Sequence, residues 1–138
     1  MKCDLTLLDE LSREIGLTSS FRNPNRLEID LGGGRILCFI NHDETLSLVA
    51  FEGSPWHAHD SVMFARRGGE YVELDYLGLL SGLSIGKVLV REEWREGKLV
   101  EMCLIHCDYN DVNDEFEYMQ EGDEIRVVRP VIKKPARA

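Results

Sequence analysis

Two histidines one residue apart, in Trp56-His57-Ala58-His59-Asp60, are the residues of this chain best suited to metal chemistry. In an extended segment His57 and His59 fall on one side, so both imidazoles could reach one ion, with Asp60 or Asp43 supplying an oxygen. A small metal-dependent enzyme built on that pair would also need a third fixed ligand and an open position. No second motif in the sequence must lie near them. The four cysteines follow another pattern. Cys103 and Cys107 bracket Leu104-Ile105-His106 in an apolar run with the character of a strand. Four strand steps separate their backbones by roughly 13 Å, whereas a disulfide needs Cα atoms within about 7 Å. In that strand His106 faces away from both sulfurs. Cys3, Cys38, Cys103 and Cys107 are therefore expected as reduced, partly buried thiols, and no cofactor is expected.

Gly32-Gly33-Gly34-Arg35 has the glycines of a phosphate cradle, but a cradle opens a helix and here a strand follows; a tight turn is predicted instead. Asp108-Tyr109-Asn110-Asp111-Val112-Asn113-Asp114-Glu115 fails as a calcium loop. Counted from Asp111, Phe116 stands where the turn demands glycine and Gly122 where the bidentate glutamate belongs. Counted from Asp108, Val112 takes a ligand position.

The acid of that loop belongs to a larger pattern. Arg91 to Glu124 holds twelve carboxylates and three bases, and the remaining residues hold thirteen of each, so the whole formal charge of −9 lies in this stretch. A one-signed patch steers oppositely charged partners and repels nucleic-acid phosphates. Trp94, Tyr109, Phe116 and Tyr118 are interleaved with it. Rings supply affinity and surrounding charges supply rate and selectivity at protein interfaces. Asp108, Tyr109, Asp111, Asp114, Glu115, Phe116 and Glu117 are thus the expected docking residues for a basic protein. No Ser/His/Asp arrangement is recognisable and no serine has elbow glycines around it; a non-enzymatic module is expected.

The elements that must position these residues are legible from periodicity. Leu5, Leu8, Leu11 and Ile15 form one helical stripe, with Asp4 able to cap its first turn and Gly16 to stop it. Arg26–Leu31 alternates with Leu27, Ile29 and Leu31 inward, and Arg35–Ile40 is apolar enough for a central strand. Thr45–Phe51 follows, with Leu46, Leu48 and Ala50 on one face. Gly53–Asp60 has the composition of a loop. Ser61–Ala65 and Tyr71–Tyr76 suit strands, and Leu77–Leu83 suits a short helix weakened by Gly78 and Gly82. Lys87–Trp94 and Lys98–Cys107 flank Arg95-Glu96-Gly97, a hairpin signal. Phe116–Met119 and Ile125–Val131 are expected to close the sheet. The prediction is one α+β domain, residues 1–132, with an N-terminal helix packed on a mainly antiparallel sheet, C-terminal hairpins, and a basic flexible tail, residues 133–138.

The totals agree. At 138 residues, 43% apolar and 30% charged, the chain suits one soluble domain with a real core. It has no apolar run of about eighteen residues, so no transmembrane helix is expected. Met1-Lys2-Cys3-Asp4 makes a poor secretory start, and the cytoplasm is the expected compartment.

Two resemblances add to this. Leu7-Leu8-Asp9-Glu10-Leu11-Ser12-Arg13-Glu14-Ile15-Gly16-Leu17, Arg26–Leu31 and Thr45-Leu46-Ser47-Leu48 resemble the amino half of class I type III secretion chaperones, which implies a small acidic protein holding an extended effector segment. The size, acidity and the end Tyr118-Met119-Gln120-Glu121-Gly122-Asp123-Glu124-Ile125-Arg126-Val127 resemble immunity proteins of bacterial polymorphic and contact-dependent toxin systems. That resemblance implies stoichiometric blocking of a toxin domain, often basic. Ranked by these features, a toxin-neutralising immunity protein comes first, a secretion chaperone second and a His57/His59 metal enzyme third.

Overall fold

The computed structural model describes residues 2–66, 68–109 and 122–132. Helix α1 (Leu5–Glu14) starts where Asp4 Oδ1 accepts the Leu7 amide at 3.1 Å. It ends where Gly16 takes a φ of +92° and the Leu17 amide reaches back to the Ser12 carbonyl at 2.8 Å. Both ends are as the sequence predicts. A five-stranded antiparallel meander follows: β1 (Thr18–Asn23), β2 (Arg26–Asp30), β3 (Ile36–Asn41), β4 (Ser47–Phe51) and β5 (His57–His59).

Its register stacks Leu27 on Phe39 and Phe39 on Val49, with Ile29 on Leu37 and Leu37 on Phe51. All six are buried on one face. Leu48 and Ala50 share a face, but it is the outward one; the core takes Ser47, Val49 and Phe51. Register decides this, because Val49 and Phe51 must face the side that Phe39 and Leu37 already occupy. The triple glycine forms the expected turn between β2 and β3, with φ values of +93°, +62° and +81° that only glycine adopts without strain.

Strands β6 (Val62–Ala65) and β7 (Tyr71–Leu74) form a separate hairpin. β7 stops before the predicted Tyr76 because Asp75 caps helix α2 (Tyr76–Ile85), its Oδ1 accepting the Gly78 amide at 2.8 Å. Leu79, Leu80 and Leu83 of α2 are fully buried. Gly82, which weakens the helix in isolation, is where α2 packs on the next strand: a Cβ there would lie 2.5 Å from Val88 Cγ2.

The third sheet has the order β10-β8-β9, with β8 (Val88–Arg95), β9 (Lys98–His106) and β10 (Asp123–Val128). Glu96 and Gly97, at φ +52° and +76°, form the predicted hairpin turn, of the type that matches strand twist. β10 starts earlier and ends earlier than the predicted Ile125–Val131, because Pro130 has no amide to give a ladder. The Val131 amide bonds the Leu31 carbonyl at 2.9 Å instead. One contiguous core joins α1, α2 and all three sheets. The fold class is α+β, as expected. No helix of the described residues is long and apolar enough to cross a membrane.

Candidate functional site

Strand β9 carries Met102–Ile105 into the core and stops at His106, one residue before the predicted end. A turn follows. The Cys107 amide donates to the Lys87 carbonyl at 2.8 Å, the Asp108 amide to His106 Nδ1 at 3.1 Å, and the Tyr109 amide to the His106 carbonyl at 3.2 Å. This reversal brings one donor atom each of His106, Cys107 and Asp108 within 4.8 Å of one another. The expectation that His106 and Cys107 face opposite ways is therefore corrected. Strand alternation holds only while the backbone stays extended, and it ceases at His106.

His106 and Asp108 are held from outside the cluster. Lys87 Nζ meets Asp108 Oδ2 at 3.1 Å, which lowers the Asp108 carboxyl pKa below its ordinary value and raises that of the Lys87 ammonium. His106 is 8% exposed, and burial pushes its pKa below 6.5. Its ring packs 5.7 Å from that of Phe64 and 5.1 Å, edge on, from that of Tyr109. The Arg66 guanidinium lies 5.0 Å over the Tyr109 ring.

Of the expected docking residues, Asp108 and Tyr109 sit here. Asp111, Asp114, Glu115, Phe116 and Glu117 lie outside the described residues, as do Asn110, Val112 and Asn113 of the calcium-loop comparison, the strand Phe116–Met119, Tyr118 and the tail 133–138. Trp94 is no free anchor: its Nε1 donates to Glu92 Oε1 at 3.3 Å and the Arg126 guanidinium covers its ring at 4.5 Å. Several carboxylates of the acidic stretch are likewise engaged. Glu92 is buried and holds Arg35 in a two-pronged pair at 2.8 and 3.2 Å. Arg95 pairs with Asp123 at 2.8 Å and reaches Glu93 at 3.9 Å, and Arg126 pairs with Glu124 at 2.7 Å.

His57 and His59 do share a side, as predicted, though on a short edge strand rather than in a loop. Their rings are 5.2 Å apart and both residues are exposed. Their cross-strand neighbours are Ala50 and Leu48. Asp43 Oδ1 is occupied by Thr45 and Leu46 amides, and Asp60 Oδ1 accepts the Ser47 hydroxyl. Among the described residues no third His, Cys, Asp or Glu forms a metal-holding group with the two histidines. None of the four cysteines is in a disulfide; Cys38 and Cys103 are buried, Cys3 is half-buried, and Cys107 is exposed, which the sequence did not foretell.

A cleft of about 370 Å³ between the first turns of α1 and α2 has no sequence signal. At its wall the Tyr76 hydroxyl accepts the Asp60 amide at 2.9 Å and lies 3.0 Å from the Ser47 hydroxyl, which donates to Asp60 Oδ1 at 3.0 Å. This closed ring locks the end of the first sheet to α2, and its residues are too far apart in sequence to make a motif. Comparison with family models, with curated proteins and with solved structures finds no significant match to this chain.

Proposed function

We propose that this chain is a non-enzymatic protein-binding module of the immunity type, which neutralises a basic toxin domain by docking an acidic surface on it. The observation that carries the reading is where the sequence places acid without base. Glu92, Glu93, Asp108, Asp123 and Glu124 each have a cationic partner at hand. The segment 110–121, which joins the Tyr109 turn to β10, holds five carboxylates and no base. Charge of one sign gathered in one stretch of sequence acts over a Debye length, about 8 Å at physiological salt, and accelerates encounter with a basic face. Tyr109, half-buried beside this stretch, is held by the Arg66 guanidinium over its ring, so the charges rather than a free aromatic anchor carry the reading.

The test is the association rate of the purified chain with a basic candidate domain encoded beside it, measured at several salt concentrations. Replacing Asp111, Asp114 and Glu115 together by lysine is expected to slow association at least about tenfold at low salt and to flatten its salt dependence. An unchanged rate and salt slope would remove these residues from the docking surface.

A further inference from the structure

We infer that His57 and His59 together chelate one zinc ion per chain, with water in the remaining positions, a property separate from partner docking. A catalytic centre requires a third fixed ligand. A chelating pair holds an ion without one, because the second imidazole binds within the chain once the first has bound.

Strand β5 fixes the two backbones. Its ladder to β4 sets His57 opposite Ala50 and His59 opposite Leu48, and residues two apart in a strand project to one side. His57 Nδ1 lies 3.1 Å from the Pro55 carbonyl oxygen, which can only accept, so Nδ1 carries a proton and donates it. The lone pair of that ring therefore sits on Nε2. A histidine that binds metal through one nitrogen is commonly oriented by such a bond from the other. Neither Nε2 of His57 nor either ring nitrogen of His59 has a hydrogen-bond partner among the described residues.

The ring separation selects the ion. With metal–nitrogen bonds of about 2.0 Å and about 1.1 Å from nitrogen to ring centre, two imidazole centres on a tetrahedral ion stand about 5.1 Å apart. At the right angle of a square-planar ion they stand about 4.4 Å apart. The observed 5.2 Å matches the tetrahedral value, and zinc is the imidazole-binding ion of that geometry. Both residues are exposed. His57 is held by Pro55, so His59 makes the turn that aims its nitrogen at the shared point. Its χ2 is a broad torsion, and the axis of that rotation runs through the ring centre, so the separation is kept.

The experiment titrates the full-length chain, stripped with chelator and kept reduced, with zinc alone. It reads the imidazole nitrogens by heteronuclear NMR and the stoichiometry by calorimetry and sedimentation. Zinc is expected to move the Nε2 signals of both His57 and His59, at one ion per chain. His57→Ala or His59→Ala should each weaken binding at least about tenfold, because the ion is left with one ring. Both residues are exposed, so these variants keep the fold. His42→Ala and Cys107→Ser should leave the titration unchanged. Unmoved Nε2 signals, binding that survives loss of either ring, binding lost in His42→Ala or Cys107→Ser, or one ion shared between two chains would each overturn the assignment.

Discussion

Arg35 and Glu92 show how single residues join distant parts of this chain. The guanidinium leaves the turn before β3, also donates to the Gly32 carbonyl at 3.2 Å, and closes on a carboxylate of β8 whose side chain is 3% exposed. A buried pair of this kind is costly to break and much less costly to replace as a unit. Arg35→Ala is expected to destabilise the protein by about 3–5 kcal/mol, seen in the urea midpoint, because Glu92 is left charged and buried. The double change Arg35→Met/Glu92→Met should recover most of that loss; equal damage from single and double variants would show that the pair itself is not the cause. His106 has a different signature. Its folded pKa is depressed, so below about 6.5 the unfolded chain takes a proton that the native ring refuses. The charges facing it are Asp108, which opposes the shift, and Lys87, which adds to it. Stability is expected to be lost as pH falls from about 6.5 through the lower folded value, and His106→Gln should remove that portion of the decline. Urea midpoints from about pH 7.5 to about pH 5 provide the measurement.

At the scale of elements, local signals succeeded wherever a buried stripe or a turn residue was obligatory. The α1 stripe, its Asp4 cap, the glycine turn after β2 and the hairpin at Glu96-Gly97 are each one short run of residues whose chemistry permits little else. β1 escaped notice because it is an edge strand with one buried residue, Ser19, among exposed ones, so alternation leaves no apolar trace. β5 is three residues long and takes its strand geometry from β4 rather than from its own composition. The edge of β9 shows the same dependence on neighbours: Ser54 Oγ donates to the Met102 carbonyl at 2.9 Å and accepts its amide at 3.0 Å, covering an otherwise open ladder position. Glu96 remains a local misfit, since a left-handed conformation costs a side chain with a Cβ roughly 1–2 kcal/mol and costs asparagine less. Glu96→Asn is therefore expected to stabilise the hairpin by about 0.5–1 kcal/mol, raising the thermal midpoint. A lowered midpoint would mean that Glu96 makes a contact worth more than the strain.

The whole molecule is held by contacts between segments far apart in sequence. The clearest is Gly32, where the end of the chain crosses the first sheet: a Cβ at Gly32 would lie 2.5 Å from Val131 Cγ2, and the residue stands at φ +93°. Gly32→Ala is expected to cost about 1–3 kcal/mol and to expose the Val131 amide, which hydrogen exchange reads directly. Exchange at Val131 unchanged from the parent would show that the crossing tolerates the substitution. Periodicity, glycine conformation and ionisation are local properties, so the fold class, most helix and strand positions, the turns and the confinement of net charge to one stretch are legible in the residues alone. Tertiary structure decided which carboxylates are matched, since Arg35 and Glu92 stand 57 residues apart. It also decided which face of β4 is buried, through the register set by β3. And it brought His106, Cys107 and Asp108 together, because the backbone reverses after β9 in a turn closed by the Tyr109 amide on the His106 carbonyl.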